Sequence, residues 1–178
     1  MKVGIIGSGG REHSICEALK KSAKINKIFC IPGNAGTSLI AENVDLDANN
    51  FQKLSKFILD NKIDVVIVGP EKPLVDGITD FLNDKEIKVF GPNKKASQLE
   101  GSKIFTKNLC DKYNIPTAKF GVFKNLDDSK NFLENCIHPI VVKADGLAAG
   151  KGVYICNDKK ESISAVKEIF NGKFGNTD

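Results

Sequence analysis

The sequence predicts an α/β protein: an open parallel sheet with crossover helices, followed by a small α+β unit. Three observations predict it. Roughly the first ninety residues alternate short apolar runs with amphipathic stretches of helical length, the pattern of a parallel sheet with helical crossovers. Each predicted strand in that region runs at its C-terminal end into a small, turn-forming segment, and in an open sheet such segments gather on the edge where ligands bind. From about Lys94 the pattern changes to a long helical stretch and then to a second group of strands and helices.

In order, strands are expected at residues 2–6, 27–31, 64–68 and 88–90, and helices near 11–21, 50–61 and 74–83. Pro73 suits a first helical turn, where its missing N–H costs nothing. The turn segments are Gly7-Ser8-Gly9-Gly10, Pro32-Gly33-Asn34-Ala35-Gly36-Thr37, Gly69-Pro70-Glu71 and Gly91-Pro92-Asn93. Ser102 is placed to cap a helix running to Tyr113, which Ile115-Pro116-Thr117 ends. A strand at 120–123, a helix at 127–135, strands at 140–144 and 153–156 and a helix at 160–170 follow. The last two strands form a hairpin around a glycine-rich tip, residues 145–152, expected to be mobile. The domains expected are 1–93, a connecting helical segment 94–118, and 119–178.

An apolar fraction of 41% and a charged fraction of 27% fit a soluble globular chain, and no apolar run approaches a membrane span. Residues 1–6 lead directly into a glycine loop, leaving no room for a leader, so a cytoplasmic protein without a membrane partner is expected. The net charge of +4 is spread over scattered lysines with no basic stripe interleaved with aromatics, which argues against a nucleic-acid partner. Cys16, Cys30, Cys110, Cys136 and Cys156 are scattered, with no Cys-x-x-Cys pair. Reduced, mostly buried thiols are expected, not disulfides or a zinc site.

The first glycine loop, Ser8, Gly9 and Gly10, follows a strand and opens a helix. Its N–H groups and the helix dipole can face an anion, although a tight strand-to-helix turn without a ligand has the same form. Arg11, the only arginine, reads either as a solvated helix-start residue or as an anion contact with a forked donor set. A dinucleotide site would need glycine where Glu12 stands and a carboxylate after the second strand, where Ile31-Pro32-Gly33 stands instead. A phosphate-sugar site therefore ranks above a nicotinamide-dependent oxidoreductase. Asn34, Gly36 and Thr37 offer close backbone approach, an amide and a hydroxyl. Glu71, just past the third strand, could take an amine or a ribose hydroxyl, or be a solvated glutamate at a helix start.

The second phosphate candidate is the tip at 145–152, and it is not a P-loop. Three residues separate Gly146 from Gly150 where a Walker motif has four, and Lys151 precedes Gly152 and a strand instead of Ser or Thr and a helix. A flap closing over nucleotide phosphates fits better. Lys143, in a strand that reads as buried, calls for an anionic partner or a route to solvent. Lys103 begins a helix, where the dipole disfavours a cation; an anion nearby would explain it, and an exposed, solvated lysine is the equal alternative. His13 and His138 read as structural, and no nucleophile-base pair or metal cluster stands out.

Taken together, Gly7-Ser8-Gly9-Gly10-Arg11-Glu12-His13, Pro32-Gly33-Asn34-Ala35-Gly36-Thr37, Val68-Gly69-Pro70-Glu71, Phe90-Gly91-Pro92, Leu99-Glu100-Gly101-Ser102-Lys103 and Val141-Val142-Lys143-Ala144-Asp145-Gly146-Leu147-Ala148-Ala149-Gly150-Lys151-Gly152 resemble the glycinamide ribonucleotide synthetase family of ATP-grasp ligases, in its order and spacing. The resemblance implies that ATP phosphorylates glycine and that 5-phosphoribosylamine attacks the resulting acyl phosphate. It implies that phosphoribosylamine is held by Ser8, Gly9, Gly10, Arg11, Asn34, Gly36, Thr37 and Glu71. Lys103, Lys143, Gly150, Lys151 and Gly152 would face ATP, and Mg2+ would be held by ligands beyond residue 178. On this reading 119–178 is part of a nucleotide-flap domain, and the chain stops short of a complete active site. A free-standing phosphate-sugar binding module is the alternative.

Overall fold

The apolar run after Met1 forms β1 (Lys2–Gly7), the strand on which the N-terminal unit is built, with Val3 to Gly7 all buried. The computed structural model describes residues 1–148 and 151–174, and the chain divides into two units, Met1–Gln98 and Leu99–Asp178. The first unit follows β1 with α1 (Gly10–Lys20), β2 (Lys27–Pro32), a short 3-10 turn at Thr37–Leu39, β3 (Glu42–Asn43), α2 (Phe51–Asp60), β4 (Val65–Val68), α3 (Glu71–Asp76), α4 (Ile78–Asn83) and β5 (Val89–Phe90). Its five strands are all parallel, in the order β3-β2-β1-β4-β5. Chain order therefore reverses beside β1, where an open α/β sheet parts its loops into a ligand crevice.

Both faces of this sheet are covered, which explains the continuous apolar strands. Alternation sends Val3 and Ile5 with Ile28 and Cys30 into one cluster with Cys16 of α1, and Ile6 with Phe29 and Ile31 into a second with Leu54, Ile58, Ile78 and Leu82. The Phe29 and Phe57 rings meet edge to face, centroids 5.5 Å apart. Burial pushes the Cys16 thiol up to about 12. All five cysteines are free, and Cys16, Cys30 and Cys156 are buried.

The helix expected over 74–83 is two helices. Gly77 adopts φ 99, a left-handed conformation, and its N–H closes the α3 end on the carbonyls of Pro73 and Leu74. β3 has only two residues, too few for alternation to reveal it in the sequence.

The remainder comprises α5 (Lys94–Gly101), which contains the boundary between the units, α6 (Lys103–Lys112), α7 (Leu126–Leu133), β6 (Ile140–Lys143), β7 (Val153–Cys156) and α8 (Lys159–Phe170). Ser102 caps α6 as expected, its Oγ accepting from Phe105 N at 3.0 Å. β6 and β7 pair antiparallel, with Val141 opposite Ile155 and Lys143 opposite Val153. α8 packs on both strands and on α7, burying Leu133, Cys156, Ala165, Val166 and Ile169. The opposite face stays open, with Val141 52%, Val153 48% and Ile155 72% exposed. Lys143 is thus exposed, not set in a buried strand: in a two-stranded sheet covered on one side, an apolar run does not mean burial on both faces. Residues 120–123 form no strand. Phe123 packs on the Phe132 ring at 4.9 Å and Lys107 lies over Phe120, so the run's two rings find partners without a ladder.

Leu54 has no exposed surface and Leu59, on the same helix, is 55% exposed. Leu54→Ala should cost the first unit about 2–5 kcal/mol in urea denaturation and Leu59→Ala no more than about 0.5 kcal/mol. Equal losses would show that the sheet face carries no packed core.

Candidate functional site

The loops leaving β1, β2, β3 and β4 border a cleft of about 580 Å³ at the C-terminal edge of the sheet, lined by residues 7–12, Pro32, residues 47–49 and residues 70–73. Its floor is the turn from β1 into α1, where the first-turn N–H groups of a helix lack intrahelical partners. Ser8, Gly9, Gly10, Arg11 and Glu71, all expected as ligand contacts, come together here.

Arg11 and Glu71 are joined directly. The guanidinium donates to Glu71 Oε1 at 2.8 Å and, through its other terminal nitrogen, to the Gly69 carbonyl. That hydrogen bond holds the Glu71 carboxyl below its ordinary 4.5, so it stays ionised at neutral pH. Both side chains are about half exposed, at 59% and 43%, so the pair matters for orientation more than for stability.

Beneath them lies Glu12, a side chain that sequence reasoning used only to exclude a dinucleotide site. It is 4% exposed, and its Oε2 accepts from Gly9 N at 2.6 Å. A Cβ at Gly69 would lie 1.9 Å from Glu12 Oε1, and one at Gly7 would lie 2.6 Å from Glu12 Cδ. The acidic residue at the third helical position was the available signal, half obscured because the capping residue is a glycine without a side chain.

Asn34, Gly36 and Thr37 do not line the cleft. The Asn34 amide donates to the Ser8 carbonyl at 2.9 Å, and its Oδ1 accepts from Gly36 N and Thr37 N at 2.8 and 3.0 Å. Thr37 is wholly buried, its hydroxyl accepting from Asn34 N at 2.7 Å and lying 2.7 Å from Asn43 Oδ1. Gly36 packs against His13, which a Cβ would approach to 2.5 Å. Polar groups in a loop that must hold its own shape are consumed by that shape, so these three fix the β2 loop against the β1 loop. The lining residues 47–49 were missed because they follow the two-residue β3; there Asp47 accepts from Asn49 N at 2.9 Å, which holds its carboxyl pKa below the ordinary value.

In the second unit an anion does lie at the start of α6, but it bonds the backbone and not the Lys103 ammonium. Asp145 Oδ1 accepts from Lys103 N at 2.6 Å and Ile104 N at 3.1 Å, while Oδ2 accepts from Ser102 Oγ at 2.8 Å. The Lys103 ammonium donates to the Gly146 carbonyl at 2.8 Å. Lys143 projects from the open face of the β6–β7 sheet, and Lys151 is exposed. Gly152 is buried at φ 74 and closes the hairpin by accepting from Ala144 N at 2.8 Å. Gly150 lies outside the described residues, as does the middle of the tip whose mobility the sequence suggests. His138 is structural, its ring nitrogen 2.8 Å from Ser162 Oγ.

The packing of Gly69 over Glu12 is directly testable. Gly69→Ala should destabilise the first unit by about 1–3 kcal/mol through overpacking. Combined with Glu12→Ala, it should cost clearly less than the two single changes added together. Strict additivity in thermal denaturation would separate the two residues.

Two family models match the chain end to end: "Phosphoribosylglycinamide synthetase, N domain" over residues 1–100 and "Phosphoribosylglycinamide synthetase, ATP-grasp (A) domain" over residues 101–178. A phosphoribosylamine-glycine ligase of Clostridium acetobutylicum is 48% identical over 179 residues, spanning 97% of this chain and 42% of that protein. One of Mesorhizobium japonicum is 47% identical over 175 residues, spanning 98% and 41%. The crystal structure of the Thermotoga maritima phosphoribosylamine-glycine ligase is 32% identical, with a TM-score of 0.78 over 98% of this chain and 40% of that one. A biotin carboxylase domain from Hydrogenobacter thermophilus, 19% identical with a TM-score of 0.75, shares the fold. The chain thus spans about two fifths of the length of the curated relatives it matches. With one family model on each unit's stretch of sequence, the chain belongs to the phosphoribosylglycinamide synthetase family.

Proposed function

We propose that this chain supplies the amine-substrate domain and part of the nucleotide flap of an ATP-dependent ligase that joins glycine to 5-phosphoribosylamine. The products are glycinamide ribonucleotide, ADP and phosphate, by way of a glycyl phosphate. The observation that carries the reading is the cleft at the sheet reversal, where a helix start, Arg11 and an ionised Glu71 converge. In this assignment the N–H groups of Ser8 and Gly10 and the Arg11 guanidinium take the phosphate, while Gly9, whose N–H is held by Glu12, shapes the turn. Glu71 accepts from a ribose hydroxyl or the amine, and Asn34, Gly36 and Thr37 act by shaping the loop around them.

For the nucleotide, the open face of β6–β7 offers apolar Val141, Val153 and Ile155 beside the cationic Lys143. An aromatic base covers such a surface while its phosphates meet the lysine. Lys103, Gly150, Lys151 and Gly152 are assigned to the same ligand, electrostatic clamping being the main demand of phosphoryl transfer. Among the described residues no group of three or more His, Cys, Asp or Glu side chains could hold a metal ion. The described residues therefore do not hold magnesium by themselves, and the family reading assigns its ligands to sequence beyond residue 178. Nor is any helix of the described residues long and apolar enough to cross a membrane.

Calorimetry with ribose 5-phosphate tests the first site. The chain should bind it, and Arg11→Ala should weaken binding by roughly 1.5–3 kcal/mol, as expected for one charge-assisted contact. Equal affinity would remove Arg11 from the phosphate site. A coupled ADP-release assay with ATP, glycine and phosphoribosylamine should give no turnover with residues 1–178 alone; turnover requiring both co-substrates would show that these residues suffice.

A further inference from the structure

We propose that Asp145 is a positioning residue that joins the start of α6 to the root of the glycine-rich segment and thereby sets where Lys103 points. Its carboxylate spans 43 positions of sequence to reach Ser102, and it serves three donors at 2.6–3.1 Å on consecutive residues, Ser102, Lys103 and Ile104. Ser102 already provides the local cap by accepting from Phe105 N, so Asp145 supplies a second, non-local one that needs no glycine-rich hairpin for helix formation alone. What the extra contact adds is registration. The carboxylate fixes the backbone of Lys103, and the Lys103 ammonium returns to the carbonyl of Gly146, next to Asp145 itself. The two contacts close a loop between the hairpin root and the helix, and neither can shift without the other. All the groups involved are half-buried, where a charge-assisted hydrogen bond is stronger than at the surface.

The consequence rests on the reading of Lys103 as a nucleotide-facing side chain. A lysine on a flexible stem would lose rotamer freedom on meeting a phosphate, whereas one held at its backbone and head has lost it already. By reciprocity, a phosphate that engages Lys103 also steadies the hairpin root.

The linkage is testable without any nucleotide, by hydrogen exchange on the unliganded chain. Reporters are the Lys103 and Ile104 amides at the helix and the Ala144 amide at the hairpin, which donates to the Gly152 carbonyl at 2.8 Å. Asp145→Ala should speed exchange at both places together by about tenfold, with the amides of α8 unchanged. Asp145→Asn keeps an acceptor for the two helix amides and should stay close to wild type. Lys103→Met should speed exchange at Ala144 alone. A helix-only response to Asp145→Ala would reduce Asp145 to a simple cap and overturn the proposal. If Asp145→Ala unfolds the unit, an unchanged Ala144 amide in Lys103→Met overturns it instead. Calorimetry with ATP forms a separate arm: wild type failing to bind counts against the nucleotide reading, while the exchange data still decide the positioning role.

Discussion

A buried carboxylate beneath the glycine loops shapes the C-terminal edge of the first unit's sheet. Glu12 sits at the third position of α1, almost without solvent, and an ionisable group in that setting must be hydrogen-bonded to persist. Gly9 N supplies the bond, but the carboxyl also fills the volume that side chains at Gly7 and Gly69 would take. Those glycines leave β1 and β4, the two strands that flank the reversal of the sheet order. One side chain therefore draws both loops together, and Arg11, one residue earlier on the same helix, spans them on the solvent side through Gly69 and Glu71. The cleft is the space left between an inner acidic wedge and an outer basic strap.

The second unit is organised on a different principle. Its two strands are covered on one face by α8, which also packs on α7, and the apolar side chains of the other face stand in solvent. Exposed apolar patches of this kind on a folded domain mark surfaces that bind something. Here the patch carries its own lysine, which suits a ligand with an aromatic part and an anionic part. The first unit encloses its central apolar strands, β1 and β2, and puts polar backbone at the edge; the second leaves an apolar strand face uncovered and adds charge to it.

The sequence made the centre of the first unit's sheet legible because β1 and β2 are buried on both faces and β1, β2 and β4 each end in a glycine or proline turn. Only β3, with two residues, and the break at Gly77 escaped notice, one too short for any period and the other hidden inside a continuous helical pattern. In the second unit the same apolar signal misled. The run at 140–143 looked buried although Val141 and Lys143 face solvent, and the run at 120–123 looked like a strand although its rings pack locally. At the site, residue types were easier to read than their use. Arg11 and Glu71 stand at the cleft as their chemistry suggested, whereas the amide of Asn34 and the hydroxyl of Thr37 are spent inside their own loop, which depends on contacts with Ser8 and Asn43 that no local pattern encodes.

The two helix starts that matter in this chain are finished in opposite ways. At α1 the only carboxylate in the first turn is folded inward against Gly9, leaving the solvent side of that turn as the floor of a cleft. At α6 a carboxylate from a distant hairpin already covers the first N–H groups. In the proposed reading the Ser8 and Gly10 backbone beside the Glu12-bound Gly9 meets phosphate at the start of α1, while at the start of α6 the work falls to side chains, to the Lys103 ammonium and the groups that hold it in place. A sugar phosphate with one compact anionic end suits the former arrangement, and a polyphosphate that must be gripped at several oxygens suits the latter.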